Sequence, residues 1–200
     1  LMFRDLDRFE EQFRQHDVIR ALCKDNDTEA LGVPEDVAEA DLNEEMAPWA
    51  TVQPLDADSS QQRAMLAVRK GYNLVIEGPP GTGKSQTISN LIADQMSEGK
   101  SVLFVSEKAA ALEVVESRLE GVGLGEFTLE LHSHKASKPE FTRQLRSALD
   151  FDANPPSYDT RKLEKLRDTT DQLQDYVTAL HEPVAPLQLS PYEVIGKIAS

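Results

Sequence analysis

Eight residues in the middle of the chain have the types and the spacing that hold a phosphate group. Gly78 to Ser85 reads GPPGTGKS and satisfies the pattern G-x-x-x-x-G-K-[ST], after an apolar run and before an amphipathic stretch. The glycines allow a tight loop whose backbone N–H groups point at phosphate oxygens, and a following helix adds its positive end. The motif therefore predicts binding of a nucleoside triphosphate together with Mg²⁺.

The residues of this loop have separate predicted tasks. Lys84 should reach the β- and γ-phosphates, and the hydroxyl of Ser85 should join the oxygen ligands of Mg²⁺. These two are the candidate catalytic residues, while the two prolines stiffen the start of the loop. The predicted cofactor-binding set in the loop is Gly78, Pro79, Pro80, Gly81, Thr82, Gly83, Lys84, Ser85 and Gln86.

A glutamine upstream of the loop could recognise the base of the nucleotide. Gln61 lies in the stretch DADSSQQRAM. Its carboxamide offers a donor and an acceptor side by side, which matches the N6 and N7 edge of adenine. The alternative is that Gln61 is a solvated residue on a helix. With the adenine interpretation, the predicted nucleotide is ATP.

The elements around these residues predict an α/β fold. Three apolar runs are predicted as strands, namely Tyr72–Glu77, Ser101–Ser106 and Phe127–Leu131. Helices are predicted before, between and after them, over 61–69, from the loop to a stop at Gly99, and over 108–120. This alternation predicts a parallel sheet flanked by helices, a P-loop NTPase of the RecA-like type with ligands at the carboxyl ends of its strands.

The flanking regions predict helical additions to that lobe. Residues 1–53 form an acidic, mainly helical segment with a helix over 3–24, residues 54–150 the first part of the ATPase lobe, and residues 151–200 a helical arm or inserted subdomain. Within 160–181, Leu, Leu, Thr, Leu, Val and Leu occupy positions 163, 166, 170, 173, 177 and 180. This heptad seam predicts a coiled coil whose partner helix lies outside the chain or in a partner protein.

Composition excludes several classes of protein. The net charge of −14 is concentrated in residues 1–58, which hold 5 basic against 16 acidic residues, so nucleic-acid binding would need a local surface. No apolar run is long enough to span a membrane. Cys23 is the single cysteine, which excludes an internal disulfide and fits a cytoplasmic setting. The chain begins at Leu1 without a leader, which predicts that it is part of a longer protein.

Three stretches together carry a family resemblance. SSQQRAM, NLVIEGPPGTGKSQT and VLFVSEKAAALEVVESRL resemble the first motifs of superfamily 1 helicases, especially the nonsense-decay branch and large bacterial helicase-like proteins. The resemblance covers about residues 49–138. It implies that Gln61 reads adenine, since Ser60 and Ala64 match the rest of an S-Q-x-x-A segment. It also implies ATP hydrolysis that is stimulated by nucleic acid, with single-stranded DNA as the favoured partner.

The same resemblance implies where a nucleic-acid strand would be held. The stretch SEKAA departs from the family's A-P-S-N pattern and places Glu107 where a phosphate contact is expected, so Ser106 and Lys108 are the candidates there. Further candidates lie after the third predicted strand, and these are His132, Ser133, His134 and Lys135. The two histidines also suit a metal, but no third ligand has a fitting spacing.

Two other functions stay open at the level of sequence. ATP hydrolysis needs an acid that orients Mg²⁺ and an arginine finger, and no apolar run followed by Asp-Glu comes after the loop. The chain alone is therefore predicted to bind ATP without appreciable turnover. A hexameric AAA-type remodeller would place that Asp-Glu pair near residues 138–145, where KPEFTRQL predicts a helix. A non-enzymatic ATP-binding scaffold with a coiled-coil arm is the third possibility.

Overall fold

The computed structural model describes residues 2–16, 18–20, 33–47, 50–131, 138–151 and 160–199. These residues divide into two compact units, Leu1–Asp150 and Phe151–Ser200. Cys23 lies outside the described residues.

Helices form the regular structure of the first unit. They are α1 (Met2–Arg8), α2 (Glu10–Gln15), α3 (Glu35–Ala38), α4 (Leu42–Glu45), α5 (Ser59–Arg69), α6 (Lys84–Ser97), α7 (Ala109–Gly121) and α8 (Lys138–Asp150), with a 3₁₀ turn at Gly125–Phe127. The helices predicted on both sides of the loop, α5, α6 and α7, are confirmed. The single helix predicted over 3–24 is wrong, because the helix breaks at Phe9.

Local signals in the sequence fix the ends of the two helices beside the loop. Asp58 caps the start of α5, where its side chain accepts the N–H of Gln61 at 2.9 Å and its own N–H donates to the Gln61 side chain. Gly99, in the left-handed region at φ +73°, ends α6 as predicted. The N–H groups of Gly99 and Lys100 then bind carbonyls of the last turn.

α6 is the centre of the first unit because it contributes to two apolar clusters. One cluster consists of Val37, Met46, Met65, Leu66 and Ala67, and Leu91 of α6 packs against it. The second cluster consists of Ile92, Val115 and Leu119, where α6 meets α7. The helix that begins at the glycine-rich loop is thus fixed from two sides.

The predicted parallel RecA-like sheet is wrong for the described residues. Segments 72–77, 101–106 and 128–131 have neither strand structure nor hydrogen bonds to one another. Each of the first two contributes one apolar side chain to a helical cluster, Leu74 to the first and Phe104 to the second. Their neighbours stay exposed, with 74% of Val75 and 83% of Leu103 open to solvent. An apolar run specifies burial but not a hydrogen-bonding neighbour, and here a helix receives the buried residue.

Within residues 160–199, the second unit contains two helices joined by a turn. They are α9 (Thr160–His181) and α10 (Pro191–Ala199), and the turn includes an isolated antiparallel bridge between Val184 and Leu189. Ser190 caps the start of α10, since the N–H of Glu193 donates to the Ser190 hydroxyl at 3.2 Å and the Ser190 N–H donates to the Glu193 carboxylate at 2.9 Å. No side chain of the predicted heptad seam in α9 is buried.

No helix among the residues that the structure describes is long and apolar enough to cross a membrane.

Candidate nucleotide site

The glycine-rich loop leads directly into the N-terminus of α6. Gly83 is the N-cap residue, with φ +75°, and no side chain caps this end of the helix. The intrahelical ladder starts with the N–H of Thr87, which donates to the Gly83 carbonyl at 2.9 Å. The three N–H groups before it have no carbonyl within the helix to bind. An uncapped, positively polarised helix end of this kind suits an anion.

The ammonium group of Lys84 lies across the loop that precedes it. Its Nζ donates to the carbonyl oxygens of Gly78 and Pro79, the latter at 2.8 Å. The Thr82 hydroxyl binds the same Pro79 carbonyl at 2.9 Å. Through these bonds the loop folds around the ammonium group of Lys84, a residue that is exposed to solvent. Phosphate oxygens would compete well with the carbonyls for that cation, because they carry negative charge and the carbonyl oxygens are neutral.

Two glycines of the loop adopt a conformation that other residues rarely adopt. Gly81 has φ +89° and Gly83 has φ +75°. A Cβ at Gly81 would meet open space, whereas a Cβ at Gly83 would lie 2.7 Å from Nε2 of Gln61 and 3.2 Å from Oε1 of Gln86. The backbone conformation at Gly83 therefore favours glycine, and a side chain there would displace the carboxamide of Gln61.

Gln61 contacts the loop directly. Its Nε2 donates to the Thr82 carbonyl at 3.0 Å, and its Oε1 accepts the N–H of Asp58 at 3.1 Å. A carboxamide has two N–H hydrogens and two lone pairs, so one of each remains for a ligand. The side chain that the sequence singled out for base recognition is thus half-buried beside the phosphate loop, with capacity for both hydrogen bonds of an adenine edge.

Ser85 suits a magnesium ion beside the phosphates. It is the second residue of α6, and its carbonyl accepts the Ser89 hydroxyl at 2.8 Å, which fixes this turn of the helix. A hydroxyl oxygen at this position is the hard ligand that Mg²⁺ prefers. Elsewhere among the described residues, no three His, Cys, Asp or Glu side chains come together as a metal-binding group.

Residues 50–58, which we call the strap, run without regular structure from the first cluster to the N-cap of α5. Side chains of α5 hold it from one side, through the Arg69 guanidinium on the Ala50 carbonyl at 2.6 Å and Gln62 on Gln53 at 3.0 Å. Asn90 and Asp94 of α6 hold it from the other side. Neither residue was predicted from the sequence to belong to the site. The available signal was a pair of polar residues four apart that flank the apolar run at residues 91–93, which also fits a solvated face.

The candidate nucleic-acid residues fall into two groups. The Ser106 hydroxyl accepts the N–H of Lys108 at 3.3 Å, and Lys108 is the exposed N-cap residue of α7. These two therefore sit together in the turn that starts α7. His132, Ser133, His134 and Lys135 lie outside the described residues.

An ionic cluster joins the acidic segment 33–47 to α5. The Nζ of Lys70 lies 3.2 Å from the Asp36 carboxylate, which also accepts the Tyr72 hydroxyl at 3.0 Å. Partial desolvation opposes ionisation of Asp36, but hydrogen bonds from Lys70 and Tyr72 outweigh it, and its pKa is lowered. The pKa of Lys70 is raised in the same way against desolvation. The hydrogen bond to Asp36 raises the pKa of Tyr72.

A family model and two relatives match this chain. A family model described as an AAA domain, of the superfamily 1 helicase type, matches residues 56–184. The "Uncharacterized ATP-dependent helicase MG140" of Mycoplasma genitalium is 37% identical over 130 residues, which are 58% of this chain and 11% of that protein. Its homolog in Mycoplasma pneumoniae is 53% identical over 55 residues, or 26% of this chain and 5% of that protein. No solved structure matches. The chain thus spans about a tenth of the first of these relatives.

Proposed function

Because the chain belongs to this AAA-domain family of the superfamily 1 helicase type, we propose that it forms the ATP-binding site of an ATP-dependent helicase or translocase. The observation that carries the proposal is the convergence of three features on one loop. These are the uncapped end of α6, the cation of Lys84, and the carboxamide of Gln61 bound to the Thr82 carbonyl. They match the phosphate and base ends of one nucleotide.

Each residue then has a proposed role. Lys84 and the first N–H groups of α6 bind the β- and γ-phosphates, and Gln61 binds the adenine edge. Ser85 holds Mg²⁺, which when bound neutralises phosphate charge. Gln86 closes over Gly83 next to the base-reading glutamine. Lys84 exchanges its loop carbonyls for phosphate oxygens as the nucleotide enters.

The partner is proposed to be nucleic acid, with single-stranded DNA favoured. Ser106 and Lys108 offer a hydroxyl and an exposed cation in one turn, which is the chemistry that binds a phosphodiester backbone. The strongly acidic balance of residues 1–58 repels such a strand, so contact is limited to local surfaces of this kind. His132, Ser133, His134 and Lys135 remain proposed as further contacts.

The test is steady-state ATP hydrolysis by the full-length protein, with and without single-stranded DNA or RNA. We expect stimulation by a single strand, and a loss of about 10- to 100-fold in ATP affinity for Lys84→Ala, because charged hydrogen bonds contribute about 1.5–3 kcal/mol. The matched control is Lys100→Ala, which removes an exposed lysine that binds Gln95 just beyond the end of the same helix. It should leave the ATP affinity unchanged.

Other outcomes separate the alternatives. ATP hydrolysis that depends on Lys84 but is not stimulated by nucleic acid would favour an AAA-type remodeller. ATP binding without hydrolysis by the full-length protein would favour a scaffold. The 200-residue chain itself is expected to bind ATP without turnover, since no apolar run followed by Asp-Glu comes after its loop. Binding that survives Lys84→Ala unchanged would contradict the proposal.

A further inference from the structure

Asn90 of α6 binds a single residue of the strap through two hydrogen bonds. Its Oδ1 accepts the N–H of Leu55 at 2.9 Å, and its Nδ2 donates to the carbonyl of the same residue at 2.9 Å. The Asn90 side chain is fully buried. A carboxamide bound to both polar groups of one residue fixes the orientation of that residue as well as its position. Burying the amide is costly unless both bonds form, so this contact tolerates one arrangement only.

Asp94, one turn later on the same face of α6, holds the strap at a second place. Its Oδ1 accepts the N–H of Val52 at 3.2 Å, and its Oδ2 lies 3.3 Å from the Nε of Arg69 on α5. Arg69 in turn binds the Ala50 carbonyl and Glu98. The strap is therefore fixed to the phosphate-loop helix at Val52 and at Leu55, and to α5 at its start.

The strap ends at the residue that orients the proposed base reader. Three residues after Leu55, the N–H of Asp58 donates to Oε1 of Gln61, while the Asp58 carboxylate accepts the Gln61 N–H. The other end of the Gln61 carboxamide binds the phosphate loop at Thr82. A shift of the strap relative to α6 would thus move the carboxamide of Gln61 relative to the loop.

We propose that Asn90 and Asp94 are positioning residues for base selection, which set the preference of the site for ATP over other nucleoside triphosphates by fixing the strap to α6. The inference rests on the proposed nucleotide site and goes beyond it. Neither residue belongs to the loop, so they act on the base through the strap and Gln61. The phosphates are proposed to bind Lys84 and the N-terminal end of α6, whereas the hydrogen bonds of the strap to α6 are made at Asn90 and Asp94, further along the helix. A change in the strap is therefore expected to alter the preference for the base without altering the affinity for the phosphates.

The test measures the dissociation constants of ATP, GTP and inorganic tripolyphosphate, each with Mg²⁺, by calorimetry on the full-length protein. Asn90→Asp keeps the acceptor for the Leu55 N–H but faces the Leu55 carbonyl with an oxygen. We expect it to lower the preference for ATP over GTP by about tenfold, and to leave tripolyphosphate affinity within about twofold. Gln61→Ala gives the loss expected when base reading is removed altogether.

Two further variants keep the test decisive. Asp94→Asn retains the acceptor for Val52 but replaces the oxygen that faces Arg69 with an uncharged NH2 group, and should lower the preference by about threefold. Because it adds no buried charge, it should fold even if Asn90→Asp does not. Val115→Ala empties part of the second cluster without touching the strap. It should leave the preference for ATP unchanged.

The outcomes distinguish this inference from the function on which it rests. If the unmodified protein binds neither ATP nor tripolyphosphate, or binds ATP and GTP equally, the proposed nucleotide site is itself wrong. If the unmodified protein prefers ATP and both strap variants keep that preference, the positioning role is overturned while the site stands. A loss of preference in Val115→Ala equal to that in Asn90→Asp would likewise overturn it, since the effect would then follow general stability.

Discussion

Replacing Gly83 by alanine tests the contact between the phosphate loop and the proposed base reader. A residue with a Cβ in the left-handed region costs about 1–2 kcal/mol. The added Cβ would also lie 2.7 Å from Nε2 of Gln61, and because that atom ends a flexible side chain, the carboxamide would move away. It would then lose its bond to the Thr82 carbonyl, which contributes about 0.5–1.5 kcal/mol. We therefore expect Gly83→Ala to destabilise the loop by about 1.5–3.5 kcal/mol.

Gly81→Ala is the matched control. Gly81 has φ +89°, but a Cβ there meets open space, so only the backbone cost of about 1–2 kcal/mol applies. The gain from restricting the unfolded chain is the same in both variants and cancels in their comparison. The quantity to measure is the local opening free energy of the first hydrogen-bonded amide of α6, the N–H of Thr87, by hydrogen exchange on the full-length protein.

A double-mutant cycle with Gln61→Ala isolates the contact. In that background the carboxamide is absent, so the extra cost of Gly83→Ala over Gly81→Ala should disappear, giving a coupling of about 0.5–1.5 kcal/mol between positions 61 and 83. Position 81 should show no coupling to position 61. Equal penalties for Gly83→Ala with and without Gln61 would refute the reasoning, and so would an equal coupling at position 81.

Two further predictions concern the ionic contacts of α5. Because the pKa of Asp36 is lowered, its pairing with Lys70 stabilises the fold above about pH 4, and this stabilisation is lost as the pH falls further. Because the pKa values of Lys70 and Tyr72 are raised, the cluster is preserved up to about pH 10. The midpoint of unfolding should decrease when the pH lies outside this range. Asp36→Asn should weaken the dependence of that midpoint on pH on the acidic side. Arg69→Met leaves the buried Asp94 carboxylate without its cation and should cost about 3 kcal/mol in urea unfolding, which adding Asp94→Asn should largely restore.

The parts of the structure that the sequence predicted correctly are those set by short-range signals. The end of α6 at Gly99 was predicted, whereas the start of α5, set by an aspartate three residues before a glutamine, was predicted at residue 61 and lies at Ser59. Both signals act through hydrogen bonds between residues a few positions apart. They are complete within the local sequence, so no knowledge of the tertiary contacts is needed to read them.

The sheet could not be predicted in the same way, because strand pairing is a long-range property. Residues 101–106 are apolar enough for a buried strand, yet only Phe104 packs against a cluster, while 76% of Val105 is exposed. Apolarity specifies the free energy gained on burial, and a helix supplies that burial as well as a neighbouring strand does. The sequence pattern therefore predicted that this segment needs an apolar partner, but the partner is a helical cluster and not a neighbouring strand.

Asn90 and Asp94 show why the candidate site could be predicted only in part from the sequence. Both lie in α6 beside apolar residues, where polar side chains normally mark the solvent face. Their burial becomes intelligible only when the strap is placed against them, because its N–H and carbonyl groups supply the hydrogen bonds that a buried amide and carboxylate require. A stretch without regular structure has backbone groups that no ladder satisfies. Polar residues on the helix it crosses must satisfy them, and in doing so they bind the loop helix and the segment before Gln61 into one hydrogen-bonded unit.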